Sequence, residues 1–176
     1  MINKKIEEAL NRQVNAEQYS AYLYLSMSAY FQSKGLKGFS HWMEVQAAEE
    51  FAHSRKFYRF IYDRGGRVML KAIDAPPTEW KSPENVFEEI YKHEQKVTGL
   101  INDLVNLSIT EKDHATNNML QWFVAEQVEE EASALEILDE LRLIGSDGNG
   151  LLMKDRELGQ RVLNLMLYTG LAGQGA

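Results

Sequence analysis

Apolar residues recur at spacings of three and four along four long stretches of this chain, the period of one buried helix face. The first stripe is Ile6, Leu10, Gln13, Glu17, Ser20, Tyr24 and Met27, and the second is Phe39, Met43, Gln46, Glu50, His53, Phe57 and Phe60. The third is Phe87, Ile90, Glu94, Val97, Ile101 and Leu104, and the fourth is Leu120, Phe123, Gln127, Glu130, Ala134, Ile137 and Leu141. Breakers fall between them: all three prolines lie between 76 and 83, and glycines cluster at 35–38, 65–66, 145–150 and 170–175. The pattern predicts an all-α chain with helices over about 4–34, 39–64, 83–110 and 114–144. A shorter amphipathic helix is expected over about 151–167, and residues 170–176 read as a flexible tail. Local signals agree with these ends. Gly65-Gly66 reads as a C-cap, Ser82 as an N-cap followed by Pro83 in the first turn, and Asp113 as the cap of the fourth helix.

Loop lengths give the topology. The links at 35–38 and 111–113 are short, so each joins antiparallel neighbours. The link from 65 to 82 is long enough to travel the bundle, since a 26-residue helix spans roughly 39 Å and the extended linker reaches roughly 55–60 Å. Helices two and three are therefore expected to run parallel. The expected architecture is one domain over 1–176, with a four-helix bundle over about 4–144, one long crossover and a short fifth helix.

Each stripe is interrupted near its middle by a carboxylate, which changes the picture from a plain bundle to a candidate site. Mid-helix residues meet at one level whichever way the helices run. Glu17, Glu50, Glu94 and Glu130 should therefore converge, with His53 one turn from Glu50. On the fourth helix, Glu129 or Glu131 facing inward is the alternative register. Four ionised carboxylates oppose burial through desolvation and mutual repulsion. Protonation is one escape. Pairing with Lys or Arg is another, but the stripes carry none at that level. Two divalent cations would match the charge, and carboxylates with one imidazole suit Fe(II) or Mn(II) better than structural zinc. Di-iron bundles use two lone Glu and two Glu-x-x-His pairs; here the second pair is replaced by Gln127-x-x-Glu130. Glu111-x-x-His114 straddles a predicted turn and reads as chance.

Composition narrows the function classes. The chain has 176 residues and a formal net charge of −7, which argues against sequence-independent nucleic-acid binding. With no cysteine it offers no disulfide, thiolate metal site or Cys nucleophile. MINKKIEEALNRQ lacks the apolar core of a signal peptide, and no apolar run reaches membrane-span length, so a cytoplasmic protein without membrane partners is expected.

At these residues the chain resembles the ferritins of the prokaryotic, haem-free type. The likeness covers residues 1 to about 165 and rests on NAEQYSAYLYLSM, GLKGFSHWMEVQAAEEFAHSRKFYRFIYDRGGRV, PPTEW, SPENVFEEIYKHE and ATNNMLQWFVAEQVEEEASALEILDELRLIG. It implies a subunit of a hollow 24-subunit homo-oligomeric cage that oxidises Fe(II) with O2 or H2O2, a ferroxidase activity, and stores Fe(III) mineral inside. It implies that Glu17, Glu50 and His53 hold a first iron, and that Glu50, Glu94 and Glu130 hold a second. Gln127 then matches a polar neighbour of that centre, and Tyr24 a tyrosine implicated in electron donation. Glu49, Glu126 and Glu129, with Glu130, match a third iron site toward the cavity. Read from the residues alone, those three extra acids are equally a solvated face, and Tyr24 is a core tyrosine. Haem-binding relatives carry methionine just after the bridging glutamate; Phe51 stands there, so no haem is expected.

The AYLYLSMSAYF segment of helix one is apolar all around, which points to a second buried face. Tyr22, Leu25 and Tyr30 are the expected subunit contacts, with packing under the crossover as the alternative. Three other readings compete with the ferritin one. A peroxidase of the rubrerythrin kind would use more histidine and often a four-cysteine iron domain. A structural bundle would keep its seam acids protonated or water-linked. A smaller DNA-protecting cage would place iron between subunits and lack a fifth helix.

Overall fold

The computed structural model describes residues 1–163. It contains α1 (Lys4–Ser33), α2 (Lys37–Asp63), α3 (Pro83–Thr110), α4 (His114–Ile144) and α5 (Gly148–Leu158), with no strand among the described residues. The architecture is all-α: a four-helix bundle with a short C-terminal helix.

Helix ends follow the local chemistry. Ser82 Oγ accepts from Asn85 N, and the Asp113 side chain accepts from Thr116 N. Gly65 has φ +72°, a conformation costly for other residues, and Gly66 N closes the last turn of α2 onto Ile61 O at 2.8 Å.

α5 differs from the expected 151–167. Asp147 accepts from Asn149 N and Gly150 N, so an aspartate cap starts the helix at Gly148, inside the glycine run that reads as a turn. The helix stops at Leu158, residues 161–163 are non-helical, and 164–167 and the expected tail lie outside the described residues. α5 lies on the start of α2. Asp155 Oδ1 accepts from Gly38 N at 2.8 Å and Phe39 N at 3.0 Å. A Cβ on Gly38 would fall 1.5 Å from the Asp155 carbonyl oxygen, so only glycine permits this approach.

Every seam residue is buried except Phe60, which is half-buried. The core falls into two apolar clusters. One holds Met27 and Phe31 of α1, Phe39 and Met43 of α2, Phe87 and Ile90 of α3, and Ile137 and Leu141 of α4. The other holds Ile6 and Leu10, Phe57 and Ile61, Ile101 and Leu104, and Leu120 and Phe123. The second cluster takes the late residues of both α2 and α3, so these helices run parallel, as the crossover length requires. The acids at the middle of each stripe lie between the two clusters.

The crossover runs along α1. Met69 N donates to Asn11 Oδ1 at 2.6 Å, Asn15 Nδ2 to Ala72 O at 3.2 Å, and Ser26 Oγ to Pro77 O at 2.5 Å. Trp80 then packs edge-on against Tyr30, with ring centroids 5.4 Å apart. Tyr30 is thereby buried under the crossover, not held out as a subunit contact; Tyr22 and Leu25 remain 49% exposed. On the opposite side α2 and α4 stand apart, with no Cα pair within 8 Å. That gap leaves room for long polar side chains between them.

Candidate metal centre

Glu17, Glu50, His53, Glu94 and Glu130 are all buried, one acid from each helix of the bundle and the imidazole from α2. Ligand atoms of Glu17, Glu50 and His53 lie within 4.8 Å of one another. A second such group is His53, Glu126 and Glu130. His53 stands between them, Nδ1 3.7 Å from Glu50 and Nε2 3.9 Å from Glu126. Neither distance is a hydrogen bond, and His53 Nε2 is buried without a partner. An orphaned imidazole nitrogen amid buried carboxylates is a costly arrangement for a plain bundle. It fits a cation that takes both kinds of donor.

Electrostatics lead to the same conclusion. Burial first, then the Glu50 charge, drives the Glu17 carboxyl well above the usual carboxylate range. Burial, then Glu94, pushes Glu50 up to about 8. Burial also raises Glu94, and raises Glu130 strongly with help from Glu50 and Glu94. No Lys or Arg is among the leading influences on these four acids. Near neutral pH the ion-free centre therefore holds protons that a multivalent cation would displace.

Neighbouring polar groups orient the acids. Gln13 Nε2 donates to Glu17 Oε1 at 2.7 Å. Tyr24 Oη donates to Glu94 Oε1 at 2.5 Å, and Gln127 Nε2 reaches the Glu94 carbonyl and carboxylate at 3.3 Å. Burial, then Glu94, raises the Tyr24 phenol well above its usual range. Gln46 Nε2 donates to Glu130 Oε2 at 2.7 Å and Glu50 Oε1 at 3.2 Å. Gln13 and Gln46 stand in the seam stripes but belong to no metal-ligand motif. The available signal was their place one helical turn before Glu17 and Glu50.

The inward acid of α4 is Glu130. Glu129 is exposed, and Glu131 accepts from Thr98 Oγ1 at 2.5 Å on the α3 side. Glu94 belongs to neither three-ligand group, and Tyr24 and Gln127 engage its carboxylate. The three further acids are distributed unevenly. Glu126 is half-buried, raised by burial, and reaches His53 and Glu130. Glu49 is buried and ion-paired with Arg161. Glu111 and His114 do not form a site: Glu111 accepts from Asn3 and Lys5, and His114 is exposed at the start of α4.

Comparison with known proteins agrees with this geometry. The model of the family described as Ferritin, a ferritin-like domain, matches residues 7–144. A bacterial non-heme ferritin of Bacteroides fragilis is 44% identical over 161 residues, covering 92% of this chain and 100% of the relative. A probable bacterial non-heme ferritin-like protein of Haemophilus influenzae is 42% identical over 159 residues, covering 90% of this chain and 96% of its own. Among solved structures, an engineered closed form of the Archaeoglobus fulgidus ferritin superposes with a TM-score of 0.92 at 58% identity, covering 93% and 99% of the two chains. The open-pore ferritin of the same archaeon superposes at 0.91 with 59% identity over 92% and 98%.

Proposed function

This chain belongs to the ferritin family, and from that premise we propose that it stores iron, oxidising Fe(II) at the centre between its four helices and passing Fe(III) to a mineral. The buried, unpartnered His53 Nε2 among four seam carboxylates, none of which forms an ion pair with Lys or Arg among the described residues, is the observation that carries this reading.

In this proposal Glu17, Glu50 and His53 receive one Fe(II), and Glu50, Glu94 and Glu130 receive the other, with Glu50 shared. Each iron gives up one electron. O2 takes two electrons and two protons to become peroxide, or peroxide takes two of each to become water. The carboxylate shell favours the harder Fe(III) product. Tyr24, bonded to Glu94, holds that ligand and stands where an electron donor is useful. Gln127 limits the swing of the same carboxylate. Product must leave, and Glu126, Glu129 and Glu49 with Glu130 would form a third iron site on the α2–α4 side.

A homo-oligomeric cage of 24 subunits is part of the proposal. Its support is the family and the half-exposed apolar Tyr22 and Leu25 on α1, in a chain of net charge −7. Among the described residues no helix is long and apolar enough to cross a membrane. A cytoplasmic location, no haem and no nucleic-acid partner complete the reading.

Stepwise aerobic Fe(II) titration of the metal-free protein tests it. A fast phase that saturates near two irons per chain and disappears in Glu50→Ala is expected, as for paired carboxylate sites of about this make-up. Oxidation no faster than in buffer would leave a structural bundle.

A further inference from the structure

We propose that Arg161 is an internal counter-ion that competes with iron for Glu49, and so sets the Fe(II) level at which the third site fills. The proposal rests on the reading above that Glu49 is a ligand of that site.

Arg161 follows α5, and its backbone is held in place. Asp155 ties α5 to the first turn of α2, and Leu158 is buried in the core. His41 Nε2–H donates to the Arg161 carbonyl at 2.8 Å. The guanidinium lies over the Trp42 ring, its carbon 4.4 Å from the centroid, and Nη2 pairs with Glu49 Oε2. Trp42 and Glu49 are two turns apart on one face of α2, so a single planar cation spans both. Glu49 is one residue from Glu50. The pair therefore brings a positive charge to the edge of the acid-rich centre, where Lys56 also acts on Glu126.

Arginine stays protonated at any physiological pH, so protons do not release this pair. Another cation can. A divalent ion drawn by Glu130, Glu126 and Glu129 offers Glu49 a stronger partner, and the guanidinium must then leave. A place for it exists. Arg161 lines a pocket of about 260 Å³ with Glu136, Glu140 and Glu157, and its Nη1 is buried without a partner. Lys154 already pairs with Glu140 and Glu157, which leaves Glu136 to receive the displaced group. Iron binding at Glu49 thus costs the breaking of one partly buried ion pair, a cost the first two irons do not meet.

The test is anaerobic Fe(II) binding by calorimetry on the assembled metal-free protein and three variants. Arg161→Gln should leave the two tight equivalents unchanged and tighten the third roughly tenfold, the scale of a partly buried ion pair. Arg161→Lys keeps the charge but loses the planar fork, and should fall between. Glu49→Gln should remove the third equivalent. If Arg161→Gln leaves the third equivalent unchanged or weakens it while Glu49→Gln removes it, Arg161 is no competitor and the proposal fails alone. A third equivalent that survives Glu49→Gln overturns the ligand reading, and this proposal with it. Should Arg161→Gln not assemble, an Arg161→Lys isotherm identical to that of the unaltered protein is enough to reject competition.

Discussion

Gln46 Nε2 donates to Glu130 Oε2 at 2.7 Å, bridging the gap between α2 and α4. The same amide nitrogen reaches Glu50 Oε1, so one side chain holds acids from two helices. Among the described residues no other side chain donates to Glu130, and the Cα atoms of the two helices stay more than 8 Å apart. Gln46→Ala should therefore leave the helices intact and let Glu130 swing. Metal affinity at the centre is expected to fall about tenfold, the lower range for losing an outer hydrogen bond to a ligand. Calorimetry with Zn(II) reads the loss, and circular dichroism should show unchanged helix content.

The raised carboxyls make a prediction about pH. A Glu50 carboxyl at about 8 when folded and near 4.5 when unfolded binds a proton in the native state that the unfolded chain lacks. Between those values the folded state holds more protons, so stability falls as pH rises, by about 1.4 kcal/mol per unit for one such group. The metal-free protein should thus be most stable toward the acid end of that window and lose stability toward pH about 8. Glu50→Gln, neutral throughout, should flatten the slope, and a series of thermal melts against pH would show it. Loading Fe(II) near neutrality should release protons, which a pH-stat can count. A metal-free protein that grows more stable from pH 5 to pH 8 would contradict the buried, protonated centre.

Gly38→Ala places a methyl against the Asp155 carbonyl. α5 must shift from α2, and the two bonds from Gly38 N and Phe39 N to Asp155 weaken. A loss of about 1–3 kcal/mol is expected, in line with overpacking a tight contact. Thermal unfolding measures it. The same shift would carry Arg161 off Glu49, so third-equivalent iron binding should tighten alongside.

Much of this was legible in the sequence because helical period and burial are linked directly. The stripe positions Glu17, Glu50, Glu94 and Glu130 are buried at one level, and the long crossover does set α2 and α3 parallel. Less legible were contacts made by single side chains across long sequence separations. Nothing near Arg161 in the chain points to Glu49, since the pairing depends on how α5 docks on Gly38. Tyr30 read as an outward apolar residue because its cover, Trp80, arrives from the far end of the crossover. The fifth helix was misplaced because an aspartate cap outweighs the glycines around it, and because its amphipathic pattern continues past the true end at Leu158.

The bundle is two local hairpins, α1 with α2 and α3 with α4, linked along the chain by the strap on α1 and packed together through α1 against α3 and the two shared core clusters. Each hairpin contributes half of the acids: Glu17 and Glu50 with His53 from the first, Glu94 and Glu130 from the second. A chain emerging from the ribosome therefore carries, at first, half a centre. It cannot gather its second pair of carboxylates until some 80 further residues have appeared and docked, from Glu50 to Glu130. The four-acid centre is thus withheld until the whole bundle has closed, and its completeness reports on the completion of folding.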